Sequence, residues 1–235
     1  MERTINFVGN EYTNKSTRRG QVPCCIVNHI SEGSKESCIN WFTSPTNKVS
    51  SAHFLIGQDG TIYQFVPIEE MAWANGLSQT QLANATAAIV AEKGMNPNWY
   101  SVSIEHEGVY ANTKGSLTAE QLESTIWLHK YIINYVKENF SSRIVADRNH
   151  ILGHYEIDPI RKPHCPGEEF PFDEIIKILN KKLPFSDIDG HWAEDNIIAL
   201  HSAGLVNGFP DGTFKPNQNI TRAEVAVIVS KLLTK

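Results

Sequence analysis

The sequence predicts an α/β domain with a mixed central sheet flanked by helices, followed by a small helical C-terminal domain. Three observations carry this. Short runs rich in β-branched residues alternate with helical segments through the first part of the chain. Two of those runs flank Gly57-Gln58-Asp59-Gly60, an Asp-Gly turn that makes a hairpin and therefore one antiparallel pair in the sheet. At Pro184 the character changes to two helices around a turn-rich loop. The expected division is residues 1–182 and residues 183–235.

Residues 1–21 are polar and read as a lead-in. Pro23 to His29 is a short apolar run, a buried strand ending in a histidine. Ser34 to Trp41 is a short helix or turn. Ala52 to Ile56 and Thr61 to Phe65 are the hairpin strands. Gln79 to Lys93, rich in Ala, Leu and Gln and ending at Gly94, predicts one capped helix. Ser101 to Glu107 alternates, so it is a strand with Val102, Ile104 and His106 on one face and Ser103, Glu105 and Glu107 on the other. Thr118, with Gln121 three residues on, opens a long helix to about Asn139 through a capping box. Residues 149–167, punctuated by Pro159, Pro163 and Pro166, read as an ordered loop. Phe172 to Leu183 is a helix. In the second part, a helix runs from about Ala193 to His201, and Thr221 with Glu224 caps another that continues to the end.

Composition excludes several classes of function. The chain has 235 residues, 41% of them hydrophobic and 20% charged. No apolar run approaches the roughly 20 residues needed to cross a bilayer, so no membrane partner is expected. The net charge of −5 argues against nucleic acid, whose phosphates need Lys and Arg. The first residues lack the apolar core of a secretory signal, so the expectation is synthesis in the cytoplasm without a signal peptide. The four cysteines include an adjacent pair, Cys24 and Cys25, and are expected to be free thiols or metal ligands.

The chemistry-bearing residues gather around His154-Tyr155 to Cys165-Pro166-Gly167. A histidine and a thiolate are good zinc ligands, and a third ligand must come from elsewhere; His29 at a strand end is the candidate. Two His and one Cys with an open position make a catalytic zinc set. The competing reading is a core histidine and a buried thiol. Glu105 could serve a metal-bound water as general base or as its hydrogen-bond partner; otherwise it is a solvated edge residue, as is Glu107. Lys162, beside Arg161, could stabilise an oxyanion, or belong to a solvated pair. His53, at the hairpin, is either structural or a substrate-binding imidazole.

These residues resemble a known family. Ile26-Val27-Asn28-His29-Ile30-Ser31, Ser51-Ala52-His53-Phe54, Asp59-Gly60-Thr61-Ile62-Tyr63-Gln64, Ala72-Trp73-Ala74-Asn75-Gly76, Val102-Ser103-Ile104-Glu105 and Gly153-His154 through Cys165-Pro166-Gly167 are similar, in order, to the zinc-dependent N-acetylmuramoyl-L-alanine amidases related to phage lysozymes and peptidoglycan recognition proteins. The resemblance implies Zn2+ held by His29, His154 and Cys165. It implies a catalytic Glu105 and Lys162, and substrate contacts from His53 and Trp73. Ala52 stands where many members carry a tyrosine, which removes one candidate hydroxyl. Lys162 lies three residues before Cys165, where many members place it two before.

The second part resembles a single S-layer homology domain, through Phe185-Ser186-Asp187-Ile188, His191-Trp192-Ala193, Asp211-Gly212-Thr213-Phe214-Lys215-Pro216 and Ile220-Thr221-Arg222-Ala223-Glu224. Such domains bind secondary cell-wall polymers and usually come in threes. Trp192 and Arg222 are the candidate polymer contacts, with Trp192 equally readable as core. About 50 residues make a marginal core alone, so a homo-oligomer through this domain is expected. The implied activity is hydrolysis of the amide between N-acetylmuramic acid and L-alanine of the peptidoglycan stem. The expected context is a phage or prophage endolysin acting at the cell wall after release. A non-catalytic peptidoglycan-binding protein and a cytoplasmic recycling amidase are the alternatives.

Overall fold

The computed structural model describes residues 3–233. The chain divides into two compact units, the first running from Arg3 to Asn180 and the second from Lys181 onward.

The first unit is built on a six-stranded mixed sheet. In chain order its strands are β1 (Ile5–Phe7), β3 (Cys25–Ile30), β4 (Phe54–Ile56), β5 (Ile62–Gln64), β7 (Ser101–His106) and β8 (Ile151–Gly153), arranged β1-β5-β4-β7-β3-β8. The β4–β5 hairpin is the antiparallel pair; β1, β7, β3 and β8 join their neighbours in parallel. A separate two-stranded ribbon pairs β2 (Lys15–Thr17) with β6 (Glu70–Ala72). The helices are α1 (Lys35–Phe42), α2 (Gln79–Leu82), α3 (Ala88–Lys93), α4 (Tyr110–Thr113), α5 (Ala119–Asn139), α6 (His154–Ile157) and α7 (Phe172–Leu179).

Strand alternation decides what each face buries. Ile26 on β3, Phe54 and Ile56 on β4, and Val102 and Ile104 on β7 meet Leu128, Ile132 and Val136 of α5. All are fully buried, and each such side chain contributes about 2 kcal/mol relative to exposure. On the opposite face, Cys25, Val27 and Leu152 pack with Ile89 and Val90 of α3 and with Tyr100. Because both faces are covered, β3 is buried along its whole length, which is why its sequence reads as a continuous apolar run. The Thr118–Gln121 capping box forms as expected and starts α5, and buried Gln121 ties the helix to the sheet through Glu107 O at 2.9 Å.

Four expectations are corrected. The polar N-terminal stretch contributes β1 and β2, because partner strands satisfy its backbone where the side chains stay largely exposed. The helix expected over 79–93 breaks into α2 and α3, since the backbone N–H groups of Thr86 and Ala87 donate to Glu156 O rather than to a helical turn. Gly94 still closes α3 in the left-handed region, φ 57°. Residues 149–167 begin as strand β8 and helix α6 before becoming loop. The helix expected to reach Leu183 stops at Leu179, capped at Asn180.

The second unit contains α8 (Glu194–Ser202) and α9 (Arg222–Leu233), around a small core of Phe185, Ile188 and Ile197. Asp187 accepts from the backbone N–H groups of Phe214 and Lys215, both at 2.7 Å, and so pins the turn-rich loop. Glu224 accepts from Thr221 N–H while Thr221 Oγ1 accepts from Glu224 N–H, the expected cap of α9. No residue of α9 is buried.

Candidate active site and metal centre

Strands β3, β7 and β8 run in parallel side by side, so their C-terminal ends open at one edge of the sheet, where α/β folds collect reactive groups. Register does the rest. His29 on β3 is directly opposite Glu105 on β7, and His154 follows β8 immediately, one residue beyond the pairing of Asn28 with Gly153. Partners in register share a face, so His29 and Glu105 project together, away from α5.

Cys165 reaches the same place from the loop. Its carbonyl accepts from Tyr155 N–H at 2.8 Å, and its sulfur accepts from Ile30 N–H at 3.4 Å. Gly153 permits this closure, because a Cβ there would lie 2.6 Å from the Tyr155 ring and 2.9 Å from Pro166 Cδ. The His29 and His154 rings meet edge-on with centroids 4.4 Å apart, and His29 Nδ1 lies 3.9 Å from Cys165 Sγ. The ligand atoms of His29, His154 and Cys165 all lie within 4.8 Å of one another. Two imidazoles and one thiol converging at this spacing form a donor set suited to a borderline-soft cation.

The electrostatics fit a cation as well. Burial drives the His29 pKa well below its usual value and the His154 pKa down to about 4, which keeps both rings neutral, the form in which imidazole can bind a metal. Desolvation pushes the Cys165 thiol up to about 12, opposed in part by Ile30 N–H and Lys162. A metal would displace that proton, because the thiolate is the ligating form. Glu105 is raised to about 8, chiefly by burial, with Lys162 pulling it down; its Oε2 has no hydrogen-bond partner. A carboxyl in that state can exchange a proton near neutral pH.

The group stands at the base of a cleft of about 550 Å³. Lys162 lines the cleft and is exposed, and its charge acts on His29, His154, Glu105 and Cys165. Its neighbour Arg161 is occupied: its guanidinium pairs with buried Asp158 and donates to Gly76 O at 3.2 Å. Glu107 is also occupied, accepting from Lys35 N–H at the start of α1 and from Gln58 N–H. Trp73 lines the cleft, anchored by its indole N–H on Ser16 Oγ at 3.0 Å.

His53 is a correction. It is 1% exposed, beneath buried Arg18, and does not line the cleft. Its Nδ1 accepts from Ser103 N–H at 3.0 Å, and its Nε2 lies 2.9 Å from Arg18 Nη2 and 3.0 Å from Glu70 O. Both nitrogens are occupied within the fold and neither is available to substrate. His106, buried on the α5 face, holds the His29 carbonyl, and His164 stacks on Tyr110 outside the ligand group.

Trp41 and Val49 are cleft residues that the sequence reading passed over. They are 45% and 70% exposed. A signal existed for Trp41: the buried stripe of α1 is Cys38 and Phe42, four residues apart, and Trp41 falls off it. In the second unit Trp192 is 85% exposed, which removes the core reading. Arg222 lines a shallow groove along α9 whose lining does not include Trp192.

Comparison with known proteins agrees with this geometry. The family model described as N-acetylmuramoyl-L-alanine amidase matches residues 19–168, and that of the S-layer homology domain matches residues 184–226. The chain is 28% identical over 179 residues to N-acetylmuramoyl-L-alanine amidase A of Achromobacter lyticus, covering 72% of this chain and 89% of that protein. Over 53 residues it is 58% identical to cell surface glycoprotein 1 of Acetivibrio thermocellus; this is 22% of the chain but spans only 2% of that protein's length. Among solved structures, an AmpD derivative matches with TM-score 0.56 and 24% identity, covering 77% of this chain and all of that one. The amidase LysC from Clostridium intestinale matches with TM-score 0.50 and 23% identity at the same coverage. These structural likenesses establish the fold. With the family match extending over most of the sheet and all of the ligand cluster, the chain belongs to the N-acetylmuramoyl-L-alanine amidase family.

Proposed function

We propose that the chain is a zinc-dependent N-acetylmuramoyl-L-alanine amidase that hydrolyses the amide between the lactyl group of muramic acid and L-alanine of the peptidoglycan stem. The observation that carries this reading is the convergence of His29, His154 and Cys165 within 4.8 Å at a cleft that also holds Glu105. Bound to these three ligands, zinc would activate a water and polarise the scissile carbonyl. Glu105 takes the proton from the attacking water and delivers it to the leaving nitrogen; its raised pKa suits both transfers. Lys162, free of the pairing that holds Arg161, offsets the negative charge that develops on the carbonyl oxygen. Trp73, Trp41 and Val49 give the cleft apolar walls for the glycan–peptide junction.

Trp192 and Arg222 present an aromatic surface and a guanidinium for a secondary cell-wall polymer. A polymer contact of this kind supports action at the wall and suits an endolysin. Product analysis tests the bond assignment: digested peptidoglycan gains free L-alanine amino termini and no new reducing sugar ends. New reducing ends, or amino termini on another residue, would refute it.

A further inference from the structure

His29 has a nitrogen that the ligand cluster does not use. Its Nδ1 faces Cys165 Sγ, so its Nε2 points away from the cluster. That Nε2 is buried and has no hydrogen-bond partner within 3.5 Å. A neutral imidazole that offers one nitrogen to a metal carries its proton on the other, and that proton needs an acceptor.

On the face from which His29 projects, two buried oxygens lack a donor, Glu105 Oε2 and Asn75 Oδ1, and that of Asn75 is the one fixed in place by its neighbours. Asn75 is 1% exposed, and its Nδ2 donates to Ser101 Oγ at 2.9 Å and Ser103 Oγ at 3.0 Å. Ser101 and Ser103 alternate with Glu105 on β7, so Asn75 lies over the sheet face from which His29 and Glu105 project. With its amide nitrogen held by two hydroxyls, its Oδ1 is oriented, and that oxygen is likewise buried without a donor. Asn28, whose Oδ1 is orphaned too, neighbours His29 on β3 and so points to the opposite face.

We propose that Asn75 is a positioning residue for His29: its Oδ1 accepts the Nε2 proton and so presents the Nδ1 lone pair toward His154 and Cys165. The inference rests on the zinc reading above. Partners of this kind orient the ring and raise its basicity, and their loss costs about 10- to 100-fold in metal affinity. The arrangement reaches back to β7 through Ser101 and Ser103, and to buried Asn98, whose Oδ1 accepts from Asn75 N–H at 2.6 Å. Asn75 is therefore held from both its backbone and its side chain.

The test is the zinc affinity of the full chain, stripped of metal and titrated with zinc against a chromophoric chelator. Asn75→Ala is expected to bind zinc about 10- to 100-fold more weakly than wild type. Asn75→Asp keeps the acceptor and is expected to restore the affinity. Equal affinities for Asn75→Ala and wild type would overturn the inference, as would an Asn75→Asp variant as weak as Asn75→Ala. If the alanine variant does not fold, 15N spectra of the zinc-loaded wild type decide: the His29 ring shows a protonated Nε2 and a metal-bound Nδ1, and the reverse pattern overturns the proposal. A wild-type chain that takes up no zinc would instead refute the metal reading itself.

Discussion

Glu105 and Glu107 are two residues apart in one alternating run, yet the fold gives them different environments. Glu107 spends both oxygens on backbone N–H groups, those of Lys35 and Gln58, and is structural. Glu105 keeps one oxygen without a partner beside His29, His154 and Cys165, and burial raises its pKa to about 8. Glu105→Ala should keep the zinc and the fold and lose about 10²- to 10⁴-fold in wall hydrolysis; a wild-type rate in that variant would assign the base to another group. The sequence showed which face these carboxylates share, because period-2 alternation is a local property. It could not show which of them is committed, because the N–H groups that occupy Glu107 belong to α1 and to the hairpin turn. The choice between the two readings of His53 was not legible for the same reason: its neighbours Arg18, Glu70 and Ser103 are distant in sequence and converge only in the fold.

At the scale of elements, β3, β7 and α5 were legible because each carries its own period. α5 also carries its own start signal at Thr118. The edge strand β1, the β2–β6 ribbon and the break between α2 and α3 were not, since they exist through pairing with remote backbone groups. α5 brings a titrating group into the core. His129 is fully buried, its Nε2 has no partner, and burial lowers its pKa to about 4. The folded value lies below the unfolded value of about 6.5, so between these limits the unfolded chain binds more protons and stability falls as pH drops. Below about pH 4 the effect is complete. Replacing His129 with Leu should remove about 2–3 kcal/mol of that acid destabilisation, measured by urea unfolding at about pH 7 and about pH 4.5. An unchanged difference between the two pH values would show that His129 does not titrate in this way.

At the scale of the whole molecule, every group assigned to the chemistry lies in the first unit, and the second contributes surface. Residues 1–182 alone should therefore still cleave isolated peptidoglycan. They should lose the preference for walls carrying the secondary polymer, because tethering raises local enzyme concentration without adding a catalytic contact. Pull-down of both forms on native and polymer-stripped walls checks this; equal retention of the two forms on native walls would remove the anchoring role. The second unit leaves Val225, Val227, Val229, Leu232 and Leu233 exposed along α9. That unburied apolar surface supports association of copies through this unit, and sedimentation of the full chain beside residues 1–182 measures it. The division of labour was legible from the change of character at Pro184. The exposure of Trp192 was not, since a tryptophan in so small a unit reads equally well as its core.

The central claim is that His29, His154 and Cys165 hold a zinc on which wall hydrolysis depends. Metal analysis of the purified full chain and of Cys165→Ser, paired with wall-clearing turbidity before and after chelation, tests it most directly. The wild-type chain should carry one zinc, its clearing should stop on chelation and return with zinc, and Cys165→Ser should lose both metal and clearing. Full zinc occupancy in Cys165→Ser, or undiminished clearing by a chain stripped of its metal, would contradict it.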